Sequence, residues 1–347
     1  MTRRTATLLV TSILVAALLA VGLALPVPYV ADEPGPVSDT LAAPAGKPLI
    51  GVTGHPTYPT TGKLDLTTVS QDSSLTLWQA LVGYLSKKKA VVPEEITKTP
   101  GQSDADLQRQ YQQEMADSQK SAISAALHEL RIPATVTVAG LADGSPAAGK
   151  LQKGDVLLAV DGAPAADAID LRAKVGGSPP GKEISVRYKR GNAAPADARI
   201  TTRPATDQDG AARSVIGVYL DEQRDVKVNL QMVSIDGQAV GGPSAGMMFA
   251  LGIYDVMTPG SLTNGQTIAG TGTINPDGQV GPIGGIQQKL VGARQAGARV
   301  FLTPASNCAE ARRAIPAGLR LVKVDTLDDA IGSLESIAAG RTDQPGC

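Results

Sequence analysis

An uncharged run from Leu8 to Leu25 limits this chain more than any other feature. As a helix it spans about 27 Å, close to the hydrocarbon core of a bilayer. A single segment can satisfy its backbone groups inside lipid only as a helix. Arg3 and Arg4 precede the run, and the next charges are Asp32 and Glu33. Basic residues on the near side put the N-terminus in the cytoplasm and the rest of the chain outside. A cleaved signal peptide is the alternative. Its apolar core is usually about 7–15 residues and ends in a small-x-small cleavage site. Here the run is longer, and Pro26 and Pro28 follow it. The uncleaved anchor is the favoured reading, and either reading exports the body. The expected location is the cell membrane, crossed once, with the body on the extracytoplasmic side.

The 347 residues are enough for roughly two domains of about 150 residues. Aromatics are only 3 % of the chain, so Leu, Val, Ile and Ala must build its cores. A net charge of -1 argues against nucleic acid, whose binders carry a basic excess. Cys308 and Cys347 are in no CxxC pair and near no histidine cluster, which argues against a zinc site. An exported location permits a disulfide between them. His55 and His128 are isolated, so any metal site or Ser-His-Asp triad would have to use one of them.

Residues 1–30 form the anchor or signal. Residues 31–48 are rich in Pro, Ala and Gly and read as a linker from the membrane. Residues 49–128 read as strands and helices. Leu64 and Leu66 alternate with polar residues in a strand, and Leu77, Trp78, Leu81 and Leu85 mark a short helix. The basic triplet Lys87-Lys88-Lys89 that follows reads as a solvated helix end, with anionic lipid as the sharper alternative. Ser103 and Asp106 resemble a capping box. Leu107, Tyr111, Met115, Ala122, Ala125 and Ala126 then give a helical stripe to about Leu130. His128 falls near its end, as a charge partner rather than a catalytic base.

Residues 129–206 read as short strands and turns. Val136 and Val138 alternate, Val156–Val160 is a buried strand, and Ile184, Val186 and Tyr188 alternate again. Gly144-Ser145-Pro146-Ala147-Ala148, Leu151-Gln152-Lys153-Gly154-Asp155-Val156-Leu157 and Asp161-Gly162 together resemble a PDZ domain of the bacterial type. The resemblance implies that Leu130-Arg131-Ile132 hold a peptide's terminal carboxylate on backbone N–H groups, while the peptide adds as a strand. This loop departs from the family's usual Gly-rich pattern. Gly176–Lys182 nearly spells a phosphate-binding loop. Glu183 stands where Ser or Thr should bind magnesium, and a strand follows rather than a helix. No other ATP motif occurs.

Two motifs carry chemistry. In Gly241-Gly242-Pro243-Ser244-Ala245-Gly246, a tight turn of small residues leaves Ser244 unscreened just before the apolar segment Met247–Met257. Free N–H groups and the helix dipole there favour an oxyanion. The plain alternative is an N-cap serine. In Gly281-Pro282-Ile283-Gly284-Gly285-Ile286-Gln287-Gln288-Lys289, a turn opens a helix to about Ala296. Lys289 shares a face with Gly285, Ile286, Gly292, Ala293 and Ala296, while Gln287, Gln288, Arg294 and Gln295 form the polar face. Burial lowers a lysine's pKa, and a neutral amine can deprotonate serine. The plain alternative is a lysine that snorkels to the surface.

Together these motifs resemble the proteolytic domain of the Lon family, with its Pro-Ser-Ala-Gly nucleophile motif and its lysine after a Pro-(Ile/Val)-Gly-Gly turn. Ile268-Ala269-Gly270-Thr271-Gly272-Thr273 is similar to the family's strand whose threonine hydrogen-bonds the lysine. The resemblance therefore implies Ser244 as nucleophile, Lys289 as base and Thr271 as its orienting partner. Backbone N–H groups near Gly242 and at Ser244–Ala245 would form the oxyanion site. Thr273 stands where the family usually has Glu, and Gly241 where it often has an acid. The likeness covers roughly residues 210–335. Thr57–Ser70, Pro26–Val30 and Asn307–Ala311 extend it to exported Lon-like proteases of the YlbL type, which carry a PDZ domain.

The implied fold is α+β: a Lon-type proteolytic domain at 207–340, an inserted PDZ domain that is a small β-barrel-like sandwich with helices, and one N-terminal transmembrane helix. Residues near 49–85 would complete the catalytic sheet. The implied activity is an ATP-independent serine endopeptidase acting on exported or membrane-proximal polypeptides. It needs no cofactor and no metal, and it leaves a homo-oligomer open. A catalytically silent PDZ-based binding protein is the alternative from another class. A signal-peptidase-type Ser-Lys enzyme is a second enzyme alternative, which would lack the Pro-Ile-Gly-Gly helix found here.

Overall fold

The computed structural model of the chain describes residues 3–347 except 87, 100, 207–209, 211, 232–233, 236–237 and 240. Arg3–Ala24 form helix α1, 22 residues without one buried side chain. It is long and apolar enough to cross a membrane. Contacts divide the chain into two units. One comprises residues up to Gly51, Tyr58–Ile123 and Leu230–Cys347, and the other Val52–Thr57 and Ser124–Asn229.

The first unit is built on one sheet. Its strands are β1 (Tyr29–Asp39), β2 (Lys63–Asp72), β3 (Ala90–Pro93), β4 (Thr267–Gly270), β5 (Val300–Pro304) and β6 (Arg320–Val324), in the order β6-β5-β4-β2-β1-β3. Strands β6, β5, β4 and β2 run parallel, and β1 is antiparallel to both neighbours. Helices α2 (Leu77–Leu85), α4 (Gly246–Met257), α5 (Ile286–Gln295) and α6 (Leu327–Ala338), with α3 (Asp104–Glu129) as far as Ile123, complete it. Ser103 and Asp106 cap α3 reciprocally, as their spacing predicts.

The expected linker at 31–48 needs correction. Its first part lies inside the sheet as β1, with Val30 and Ala31 buried. Glycine and proline gave the segment the composition of a linker. The ladder absorbs them by shifting register between Pro34 and Val37. Thr68 lies so close to Gly35 that a Cβ there would meet its Oγ1 at 2.4 Å.

Side chains alternate across this sheet, so its two faces can be read from register. Ala269, Phe301 and Leu321 are neighbours across β4, β5 and β6 and share a core with Ile286, Leu290 and Ala293 of α5. The next position, Gly270, faces Met248 of α4, whose Sδ would lie 2.6 Å from a Cβ there. Helices α4 and α5 therefore cover opposite faces. Groups at their ends can meet only past the end of a strand.

Cys308 and Cys347 form a disulfide that ties the C-terminus to the short helical turn Cys308–Ala311. By loop-closure entropy its loss destabilises the fold by about 2–4 kcal/mol. Cys347→Ser should lower the calorimetric melting temperature, and reduction of the parent should reproduce that shift.

The second unit is an antiparallel sheet in the order 218–223, 135–141, 156–160, 183–189, 196–201, with the helix Ala168–Gly176. Leu151, Leu157, Leu171, Ile184, Val186 and Ile200 fill its core. The strand 218–223 corrects the boundary at 206/207, because it pairs with 135–141 of this unit. Its alternation showed a half-buried strand but not which sheet it joins. His128 is a charge partner, with Nδ1 at 2.6 Å from Asp167 Oδ2. That hydrogen bond raises the pKa of His128 above its ordinary value.

Candidate active site

The loop 241–245 delivers the chain into α4. Ala245 is the N-cap, in αR geometry, with no side-chain capping bond. The hydroxyl of Ser244 is thus not spent on capping. The Ser244 carbonyl accepts the Gly272 N–H at 2.9 Å and the Thr271 Oγ1–H at 3.0 Å. These two bonds pin the serine to the segment just beyond the end of β4.

Helix α5 supplies the amine. It begins after Gly285, at φ 65°, where a Cβ would meet Val69 Cγ2 at 2.6 Å. Glycine alone permits both the left-handed turn and the contact. At Gly292 a Cβ would lie 3.3 Å from the Gly35 carbonyl, so α5 presses closely on β1. Lys289 is only 3 % exposed. Its Nζ lies 2.7 Å from Ser244 Oγ and 3.0 Å from Thr271 Oγ1. Burial alone pushes its pKa down to about 7. No carboxylate pairs with it among the described residues. The helical wheel needs two corrections: Gln288 is buried and Ala296 is exposed. The helix buries a wider arc than its composition indicates, since β1 and β2 both pack on it.

The structure brings Ser244, Thr271, Lys289 and Ala245 together, but Gly242 contributes differently from expectation. Its N–H donates to the Tyr111 carbonyl at 2.9 Å and is not free to hold an oxyanion. The N–H groups of Ser244 and Ala245 have no partner among the described residues. The site missed by sequence reasoning is its frame. Ser118 Oγ donates to the Pro243 carbonyl at 2.8 Å, so α3 grips the serine loop at Tyr111 and Ser118. Asn307 grips the other loop, its amide accepting from Ile283 N and donating to Ile283 O, both at 2.9 Å. No local signal marks Tyr111 or Ser118. Gly241, where the Lon family often has an acid, lies against α3: a Cβ there would meet Tyr111 Cβ at 2.8 Å.

A groove opens over the pair, walled by Thr67–Gln71 of β2, Ile96, Tyr111, Met115, Gly284 and Gly285. Asp32 stands in its wall with a pKa raised by burial, partly offset by the Gln71 amide.

Leu130, Arg131 and Ile132 form no carboxylate cradle. Their N–H groups bond back to Ala126, His128 and Leu127 at 3.0, 2.8 and 2.9 Å. Arg131, at φ 53°, closes α3 in the left-handed conformation of a helix C-terminus. The groove of this unit lies elsewhere, between Leu171 and Val175 of the helix 168–176 and the segment Ser214–Leu220.

Residues 219–334 match the family model of the Lon protease (S16) C-terminal proteolytic domain, and residues 103–201 match that of the PDZ domain. The chain carries a Lon-type proteolytic domain and a PDZ domain. The Lon-type match contains Ser244, Thr271 and Lys289. It begins at 219, inside a strand that pairs with the PDZ unit's sheet. Relatives include the Lon protease of Campylobacter concisus, 37 % identical over 94 residues, which are 26 % of this chain and 11 % of that protein. Lon protease of Chloroflexus aurantiacus is 39 % identical over 93 residues, 26 % of this chain and 11 % of that protein. Lon protease 2 of Bacillus subtilis is 33 % identical over 98 residues, 28 % of this chain and 17 % of that protein. The chain thus spans less than a fifth of these relatives' length. A solved PDZ domain of an SdrC-like protein from Listeria monocytogenes aligns over 25 % of this chain and 86 % of its own, at 27 % identity and a TM-score of 0.22.

Proposed function

We propose that this chain is a membrane-anchored serine endopeptidase that cleaves exported or membrane-proximal polypeptides with Ser244 as nucleophile and Lys289 as general base. The observation that carries this reading is the 2.7 Å separation of Lys289 Nζ from Ser244 Oγ in a site that lowers the amine's pKa. A neutral amine has two N–H bonds and one lone pair. The Thr271 hydroxyl gives its hydrogen to the Ser244 carbonyl, so it can only accept from the amine. One N–H is thereby directed at Thr271, and rotation about Cε–Nζ turns the lone pair toward Ser244 Oγ.

Ser244 Oγ attacks the peptide carbonyl as its proton passes to Nζ. The N–H groups of Ser244 and Ala245 hold the oxyanion. The ammonium returns the proton to the leaving amine, and the C–N bond breaks. Water then loses a proton to Nζ and attacks the acyl ester; the ester C–O bond breaks as Nζ gives that proton to Ser244 Oγ, which restores the hydroxyl and the neutral amine. No nucleotide enters these steps. Peptides would dock on the PDZ domain between the helix 168–176 and Ser214–Leu220, where Arg172 and Arg213 can meet a carboxylate.

The test is hydrolysis of casein, an unfolded polypeptide, by the purified full chain in detergent without nucleotide. Cleavage supports the reading. Its absence across pH 6–9, with peptide binding retained, favours a silent PDZ-based binding protein instead. The lysine's pKa of about 7 also fixes the sign of the pH dependence. Below it Nζ is protonated and has no lone pair, so kcat/KM should rise with pH through about 7 to a plateau. A rising limb centred below 5 would exclude Lys289 as the base.

A further inference from the structure

Helix α2 exposes more apolar surface than a nine-residue helix in water should. Leu77, Leu81, Tyr84 and Leu85 follow the i, i+4, i+7, i+8 spacing of one helical face, flanked by Trp78 and Val82. Leu81 is 51 % exposed, Tyr84 77 % and Leu85 75 %. Only Gly83 is buried, with Val91 filling the space a Cβ would need. The face is held rigidly. Thr76 and Gln79 form a reciprocal capping box at its start.

Its position indicates what covers it. Leu77 N–H donates to the Leu25 carbonyl at 2.9 Å, and Val27 N–H to the Leu75 carbonyl at 3.0 Å. The helix therefore starts beside the C-terminal end of α1, where that segment would leave the bilayer. Trp78 and Tyr84 are the residue types that sit at the level of lipid headgroups. Lys87, Lys88 and Lys89 follow Ser86 in the sequence; Lys89 is ion-paired with Glu33, while a lysine such as Lys88 can bury its stem and reach phosphates.

We propose that α2 lies in the lipid–water interface beside α1, with its apolar face among the acyl chains and Lys88, just past its end, at anionic headgroups. The anchor then holds the first unit at two points rather than on a single swivelling tether. Strand β2, which supplies Thr67–Gln71 to the active-site groove, ends four residues before α2. If the peptidase reading holds, the groove is kept close to the membrane and favours substrates there.

Trp78 is the chain's single tryptophan and reports on α2 directly. The full chain is reconstituted into vesicles of phosphatidylcholine with phosphatidylglycerol, and insertion of α1 is checked by resistance to alkaline carbonate. The expected result is at least twofold quenching of Trp78 by lipid spin-labelled at acyl carbon 5, and protection from aqueous acrylamide. The double variant Leu81→Glu, Leu85→Glu alters only exposed side chains and should lose both effects. Acrylamide access without lipid quenching in a carbonate-resistant sample overturns the placement of α2 and leaves α1 standing. Protection from acrylamide without lipid quenching overturns it in favour of a protein neighbour, such as a second copy. Release by carbonate removes the anchor and this placement together. None of these readouts depends on peptidase activity.

Discussion

Ser244→Ala should abolish polypeptide cleavage, with kcat/KM falling by about 10⁴–10⁶-fold, the range expected when a covalent nucleophile is removed. The loss is this large because, among the described residues, one other hydroxyl bonds the base, and it is not free to take over. Thr271 is the nearest candidate, and its oxygen is committed between Lys289 and the Ser244 carbonyl. The fold should survive. Among the described residues Ser244 Oγ has one hydrogen-bond partner, Lys289, and makes no capping bond to α4. Deleting it leaves the amine still bonded to Thr271. A melting temperature within about 2 °C of the parent, together with lost cleavage, is the expected pair of results. A variant that cleaves within tenfold of the parent would show that Ser244 is not the nucleophile.

Lys289→Arg should be equally inactive, since a guanidinium remains protonated throughout the working pH range. Arginine also puts a bulkier, permanently protonated group in a buried position where no carboxylate pairs with it among the described residues, so this variant should unfold more easily. Lys289→Met separates the two effects. Methionine fills similar volume, carries no charge to desolvate and keeps the apolar contacts of α5. It should match or exceed the parent in thermal stability while losing cleavage by about 10³-fold or more. Circular dichroism melting and casein hydrolysis on the same samples read the two separately. Cleavage by the methionine variant near the parental rate would assign the base to another group.

The Ser244 and Lys289 motifs were legible because each needs a special backbone: a turn of small residues before an apolar helix, and a double glycine before a second. Two other regions were misread for one physical reason. Glycine and proline in 31–48 signalled irregular backbone, yet a register shift admits them into β1. Leu130-Arg131-Ile132 stood where a PDZ domain of this type holds a carboxylate, yet their N–H groups close a helix end. Composition reports what backbone a residue tolerates, not which partner satisfies it.

From its own residues the chain determined an apolar span at one end, a serine before a helix and a lysine on the small-residue side of another. These are local matters of period, charge and steric freedom. Only the tertiary structure decided that the two helices lie on opposite faces of one sheet and meet past the end of β4. It alone gave the Gly242 N–H to Tyr111 and left those of Ser244 and Ala245 without a partner among the described residues. The reason is distance along the chain. Hydrogen-bond partners and the desolvation that lowers the lysine's pKa come from segments far apart in sequence, and folding alone brings them together.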